Sequence, residues 1–145
     1  MKKIAFAFAL AASLMAAPPS QEVVEAIKKG DVSAISTLIT SKEEANAALP
    51  NGKSILMLAV WEGKADALKE LVKKGANINA MDAEGKSALM LAVWRENIEV
   101  AKALIALGAD KNAKNREGLG VAEVAELTGN GEIIDYIASL FKSKN

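Results

Sequence analysis

The residues of strongest chemical character are two tryptophans, Trp61 and Trp94, and the charges spaced around them. Each ends a Leu-Met-Leu-Ala-Val run, Leu56 to Val60 and Leu89 to Val93, and each has a lysine eight positions earlier, Lys53 and Lys86. Glu62 and Arg95 follow the two indoles directly. Aromatic and Arg side chains are over-represented among interface hot spots, and a rigid ring buries much area for little lost rotamer freedom. Chemistry of this kind is recognition. Catalysis starts at a disadvantage, because the chain has neither His nor Cys. That removes thiol nucleophiles, disulfides, the usual zinc ligand sets and the one side chain that titrates unaided near neutral pH. Any reaction would rest on carboxylates, Lys, Ser or the lone Tyr136, and none is arranged for it, so neither enzymatic activity nor a cofactor is expected.

Other motif leads end quickly. Gly118-Leu119-Gly120 has no third glycine at dinucleotide spacing and does not follow a parallel strand. Asp110, Asn112 and Lys114 are spaced as in a calcium loop, but Asn115 stands where Gly is required and Val121 where the closing acid belongs. Glu22 with Glu25, and Glu43 with Glu44, fall on polar helix ends or loops, with nothing apolar nearby to raise a carboxyl pKa. A haem ligand would have to be a Met or Tyr136, and Tyr136 sits in the last helical segment, where a capping aromatic is expected.

The elements that position the indoles belong to one small domain. The 145 residues carry 18 basic and 18 acidic groups, 51% hydrophobic residues and only 4% aromatic ones. This is enough apolar material for a packed core and no polybasic surface for nucleic acid. Met1-Lys2-Lys3 followed by the uncharged run Ile4 to Ala17 reads as a secretory signal peptide, residues 1–17, cleaved near Ala17. The run is too short for the roughly 20 residues of a membrane-spanning helix. With no Cys for a lipid anchor, the product, residues 18–145, is expected in a bacterial periplasm, with secretion as the alternative, and not inserted in the membrane. Without Lys2 and Lys3, sixteen basic residues face eighteen acidic ones, a net charge of −2, which neither attracts nor repels any partner strongly.

A period of 33 organises this domain. Gly52-Lys53-Ser54 aligns with Gly85-Lys86-Ser87, Leu71 with Leu104, Gly75-Ala76 with Gly108-Ala109, and Asn79-Ala80 with Asn112-Ala113. Gly118 and Ala125 continue the phase, and Gly129 shares it with Gly30. Such a period means stacked units that cannot bury their apolar faces alone. Leu89 to Val93 predicts a short helix and Ile98 to Leu107 a second, with Val100, Ala101, Leu104 and Ile105 on one face. Gly75 and Gly108 stand where a left-handed residue ends the second helix. Asn77 to Gly85 and Asp110 to Gly118 carry the Asn, Asp and Gly of tight turns.

Asp82-Ala-Glu-Gly-Lys-Ser-Ala-Leu-Met-Leu-Ala, then Ile98-Glu-Val, then Leu104-Ile-Ala-Leu-Gly-Ala-Asp-Lys-Asn-Ala, resembles an ankyrin repeat. The resemblance implies an all-α solenoid of about four helix-turn-helix repeats with hairpin-like fingers, at about residues 20–49, 50–82, 83–115 and 116–142. Where that family has Thr-Pro-Leu-His, this chain has Ser54-Ile-Leu-Met57, Ser87-Ala-Leu-Met90 and Gly120-Val-Ala-Glu123. Met57 and Met90 therefore replace the bridging His, and cohesion between repeats is expected to lean on packing.

The resemblance also implies a protein partner, met on finger tips and on the concave side of the first helices. The equivalent positions there are Lys28, Trp61, Trp94 and Leu127, with Lys53, Lys86 and Leu119 just before and Glu62 and Arg95 beside. Trp61, Trp94, Lys53, Lys86, Glu62, Arg95 and Leu127 form the expected partner-binding set on a monomer, the two indoles as anchors and the charges for orientation. The alternative is that both indoles lie flat over Val60 and Val93 and recur only through duplication. The tips, Pro50-Asn51, Asp82 to Glu84 and Asn115 to Glu117, are contacts or solvated turns. Among functions, the resemblance allows an accessory or protective factor in stress defence or enzyme maturation. An immunity-like inhibitor of a periplasmic toxin, or a small-ligand carrier with its site between the Trp rings, are the alternatives.

Overall fold

The computed structural model describes residues 17–142; apart from Ala17, the signal peptide read from the sequence lies outside them. The described residues form α1 (Gln21–Lys29), α2 (Val32–Leu38), α3 (Lys42–Ala45), α4 (Ile55–Trp61), α5 (Ala65–Lys73), α6 (Ala88–Trp94), α7 (Ile98–Ala106), α8 (Val121–Thr128) and α9 (Gly131–Ser139). Extended pairing among them is limited to two isolated antiparallel bridges, Ala48 with Ser54 and Met81 with Ser87, at the bases of the fingers. The architecture is the expected all-helical repeat solenoid.

Contacts run in two layers. The first helices α1, α4, α6 and α8 touch in order, as do the second helices α2, α5, α7 and α9, and each first helix packs on its own second helix. Helix starts follow from local chemistry. Ser54 and Ser87 hydroxyls accept the Met57 and Met90 backbone N–H groups, both at 3.2 Å, satisfying donors that the helical ladder leaves without partners. Gly120, at the same phase, has no side chain to do this; instead Glu123 Oε2 accepts the Gly120 N–H at 3.0 Å.

Packing explains the spacing of apolar residues. Ala26, Ala59, Ala92 and Ala125 recur every 33 residues and are all buried, which lets neighbouring helices approach closely. Leu71, Leu104 and Ile137 recur likewise and are buried in the second layer. Met57 and Met90 are core residues, 1% and 2% exposed. Polar ties between repeats run elsewhere: Asn46 Oδ1 accepts the Asn77 N–H at 2.7 Å, and Asn79 Oδ1, one repeat on, accepts the Asp110 N–H at 2.8 Å.

One backbone position breaks the repeat. The turn from first to second helix passes through a residue of positive φ, at Gly30, Gly63 and Gly129 with φ 70° each, but at Glu96 with φ 58°. A side chain there costs roughly 1 kcal/mol, which glycine avoids. Glu96→Gly is therefore expected to raise stability by at most about 1 kcal/mol, the relieved strain being offset in part by the extra freedom glycine gives the unfolded chain and by loss of the exposed 3.1 Å bond from Asn130 Nδ2 to Glu96 Oε2. A thermal melt checks this, and a lowered midpoint would show that these offsets outweigh the strain.

Candidate functional site

Helices α4, α6 and α8 and the fingers that precede them enclose a cleft of about 260 Å³. Its lining includes Lys53, Trp61, Lys86, Trp94, Leu119 and Leu127, so five of the seven expected partner-binding residues come together there. Met90, Leu91 and Val124 form its apolar floor, and Asn115 and Glu117 reach it from a finger. The indoles are not swallowed: Trp61 is 46% exposed, Trp94 56% and Leu127 64%. These helices are otherwise apolar on nearly every side and buried, so an exposed ring ending each of them stands out from the local pattern.

The charges are placed less simply than the sequence suggests. Lys53 Nζ lies 3.0 Å from Asp82 Oδ2, whose side chain is only 4% exposed. Lys86 Nζ lies 3.0 Å from Glu84 Oε2 in a more exposed pair. Both lysines thus bring counter-ions from the finger and add little net positive charge. Arg95 stacks on Trp61, its Cζ 4.1 Å from the ring centroid, and its Nη2 donates to the Trp61 carbonyl at 3.3 Å. Glu62 stays outside the lining; it ends α4, where its backbone N–H bonds the Leu58 and Val60 carbonyls.

The Asp82 tip is a structural knot. Its Oδ1 accepts the Glu84 and Lys86 backbone N–H groups, both at 2.9 Å. Burial pushes the Asp82 carboxyl pKa up, but those two bonds and the Lys53 ammonium outweigh burial and leave it lowered. A carboxyl lowered on folding stabilises above its unfolded pKa, and that contribution is lost as pH falls through the folded value. Below about pH 4, wild-type stability is therefore expected to fall more steeply than that of Asp82→Asn. Urea midpoints at stepped pH check this, and parallel curves would contradict it. Asn115 builds the next finger in the same way, its Oδ1 accepting the Glu117 and Leu119 N–H groups at 2.9 and 3.0 Å.

The sequence marks Asn115 and Glu117 as tip residues and Met90 as packing between repeats; the structure brings Asn115 and Glu117 into the cleft and keeps Met90 buried, as part of its floor. Their place in the cleft follows from the finger leaning over α6, which no single repeat discloses. Among the described residues, no group of three or more acidic side chains is placed to hold a metal ion. No helix there is long and apolar enough to cross a membrane.

Comparison with curated proteins finds no match. The family model described as ankyrin repeats, in three copies, matches residues 23–115, well over half of the 145-residue chain. Repeats of this kind generally mediate protein–protein interaction and are typically non-catalytic. On the match, the two-layer stack of helix pairs and the 33-residue phase, the chain belongs to the ankyrin-repeat family.

Proposed function

We propose that this protein is an exported, non-catalytic binding module of the bacterial periplasm that docks one protein partner in the cleft around Trp61 and Trp94, as an accessory or protective factor for another exported protein. The observation that carries the reading is two half-exposed indoles from consecutive repeats lining one cleft. Export is supported by the charged start and apolar run of residues 1–17. The cleft falls below the roughly 300 to 1,000 Å³ usual for small-ligand sites, which favours a protein surface over a carried small molecule. The test is affinity capture from the exported fraction with the mature chain and with a Trp61→Ala/Trp94→Ala double variant, alongside N-terminal sequencing. A specific protein recovered by the first and lost with the second, and a mature start near Pro18, are expected. Equal recovery by both, with helical circular dichroism intact, rejects the cleft; a protein retained in the cytoplasm with Met1 in place rejects export.

A further inference from the structure

We infer that the open face of Trp94 is a receptor for an arginine side chain presented by the partner protein, an inference that rests on the cleft being the partner-binding surface. The chain supplies its own template one repeat earlier. Arg95 is held by two acceptors at once, the Trp61 ring, 4.1 Å from Cζ to centroid, and the Trp61 carbonyl, 3.3 Å from Nη2. That carbonyl lies in the last turn of α4, where the helical ladder leaves oxygens without partners. A planar guanidinium stacks face to face on an indole and donates sideways in the same pose, and it is less strongly hydrated than a compact ammonium, which cannot stack.

Trp94 repeats both acceptors. It ends α6 as Trp61 ends α4, after the same five residues. It is the more exposed residue of the two, 56% against 46%, and no hydrogen bond among the described residues reaches its carbonyl. The residue in Arg95's place one repeat on is Thr128. Its hydroxyl donates to the Ala125 carbonyl at 2.6 Å and accepts the Asn130 N–H at 3.1 Å, so it turns back on its own helix and leaves the indole uncovered. The charge balance points the same way: Lys53 and Lys86 are ion-paired, whereas Glu117, in the same cleft, has no ion-pair partner among the described residues. An incoming cation therefore meets an unneutralised carboxylate as well as the ring.

The experiment uses a Trp61→Phe variant, which keeps a ring beneath Arg95 and leaves Trp94 as the single indole reporter. It is titrated with acetyl-Gly-Arg-Gly-amide and with the same peptide carrying citrulline, a neutral isostere. Saturable change in Trp94 emission is expected, with half-saturation at roughly tenfold lower concentration for arginine. It should vanish in Thr128→Arg, which delivers the guanidinium from within the chain. Equal half-saturation for the two peptides, or undiminished binding by a folded Thr128→Arg, overturns the inference. Should Thr128→Arg fail to fold, Trp94→Leu followed by the Leu127 and Thr128 amide resonances decides: shifts that persist with the arginine peptide overturn it, and shifts that disappear support it. Trp-dependent partner capture without arginine preference would overturn this inference and leave the cleft reading standing. Arginine preference without any Trp-dependent partner would reject the cleft reading instead.

Discussion

Leu104→Ala is expected to destabilise the protein by about 2 to 5 kcal/mol, the largest single-residue stability effect anticipated here. Leu104 is fully buried at the centre of the second helical layer, on α7, which packs against α5, α6 and α9. Truncation removes transfer free energy and leaves a cavity that rigid neighbours on three helices close only partly. Small domains typically hold only about 5 to 15 kcal/mol in all, so one such cavity is a large fraction of the total. In a stack the damage is shared: each repeat contacts only its neighbours, and losing one interface uncouples the units on either side. Leu38 gives the internal comparison. It has the same phase in the first repeat but is only partly buried, so Leu38→Ala is expected to cost about 1 kcal/mol, in proportion to the smaller area removed. Urea unfolding followed by circular dichroism measures both. A Leu104→Ala loss under about 1 kcal/mol, outside the range for a buried leucine, would mean that the helix faces are wrongly assigned.

Removing the two indoles should act on binding and spare folding. Exposed substitutions away from the core usually change stability by less than about 0.5 kcal/mol, whereas an anchoring Trp typically accounts for about 2 to 4 kcal/mol of an interface. Each Trp→Ala change is therefore expected to weaken the partner complex by roughly 30-fold or more. The two are not equivalent. Trp61 already spends one face on Arg95, while Trp94 offers its ring uncovered, so Trp94→Ala is expected to give the greater loss. Titration calorimetry of the purified pair measures this. A greater loss at Trp61 would mean that the Arg95–Trp61 stack, taken as one unit, is the true anchor.

The fold was largely legible in the sequence, because a repeat prints its geometry in its phase. Ile55, Ala88 and Val121 begin successive first helices 33 residues apart, and Ala65, Ile98 and Gly131 the second helices. Met57 and Met90 fall inside, as their place on the apolar helix face implies. What the period does not print is how neighbouring repeats touch. Lys53 meets Asp82 across 29 residues, Asn46 meets Asn77 across 31 and Arg95 meets Trp61 across 34. Those offsets depend on stagger and finger lean, which appear only when units are stacked. For this reason Lys53 and Arg95 read as free charges in the sequence and are partnered in the structure. The period does print one departure. Gly30, Gly63 and Gly129 share a phase that Glu96 interrupts, so a strained backbone position two residues after Trp94 is legible from spacing alone.

The most direct test of the cleft uses the fact that the chain has two tryptophans and both line it. Acrylamide quenching of intrinsic tryptophan emission, measured for the free chain and for its complex with a tryptophan-free form of the captured partner, reads that surface and no other. Quenching that falls severalfold on binding, with a blue-shifted emission as water leaves both rings, is the predicted result. Unchanged quenching in a saturated complex would place the partner elsewhere on the stack and contradict the account.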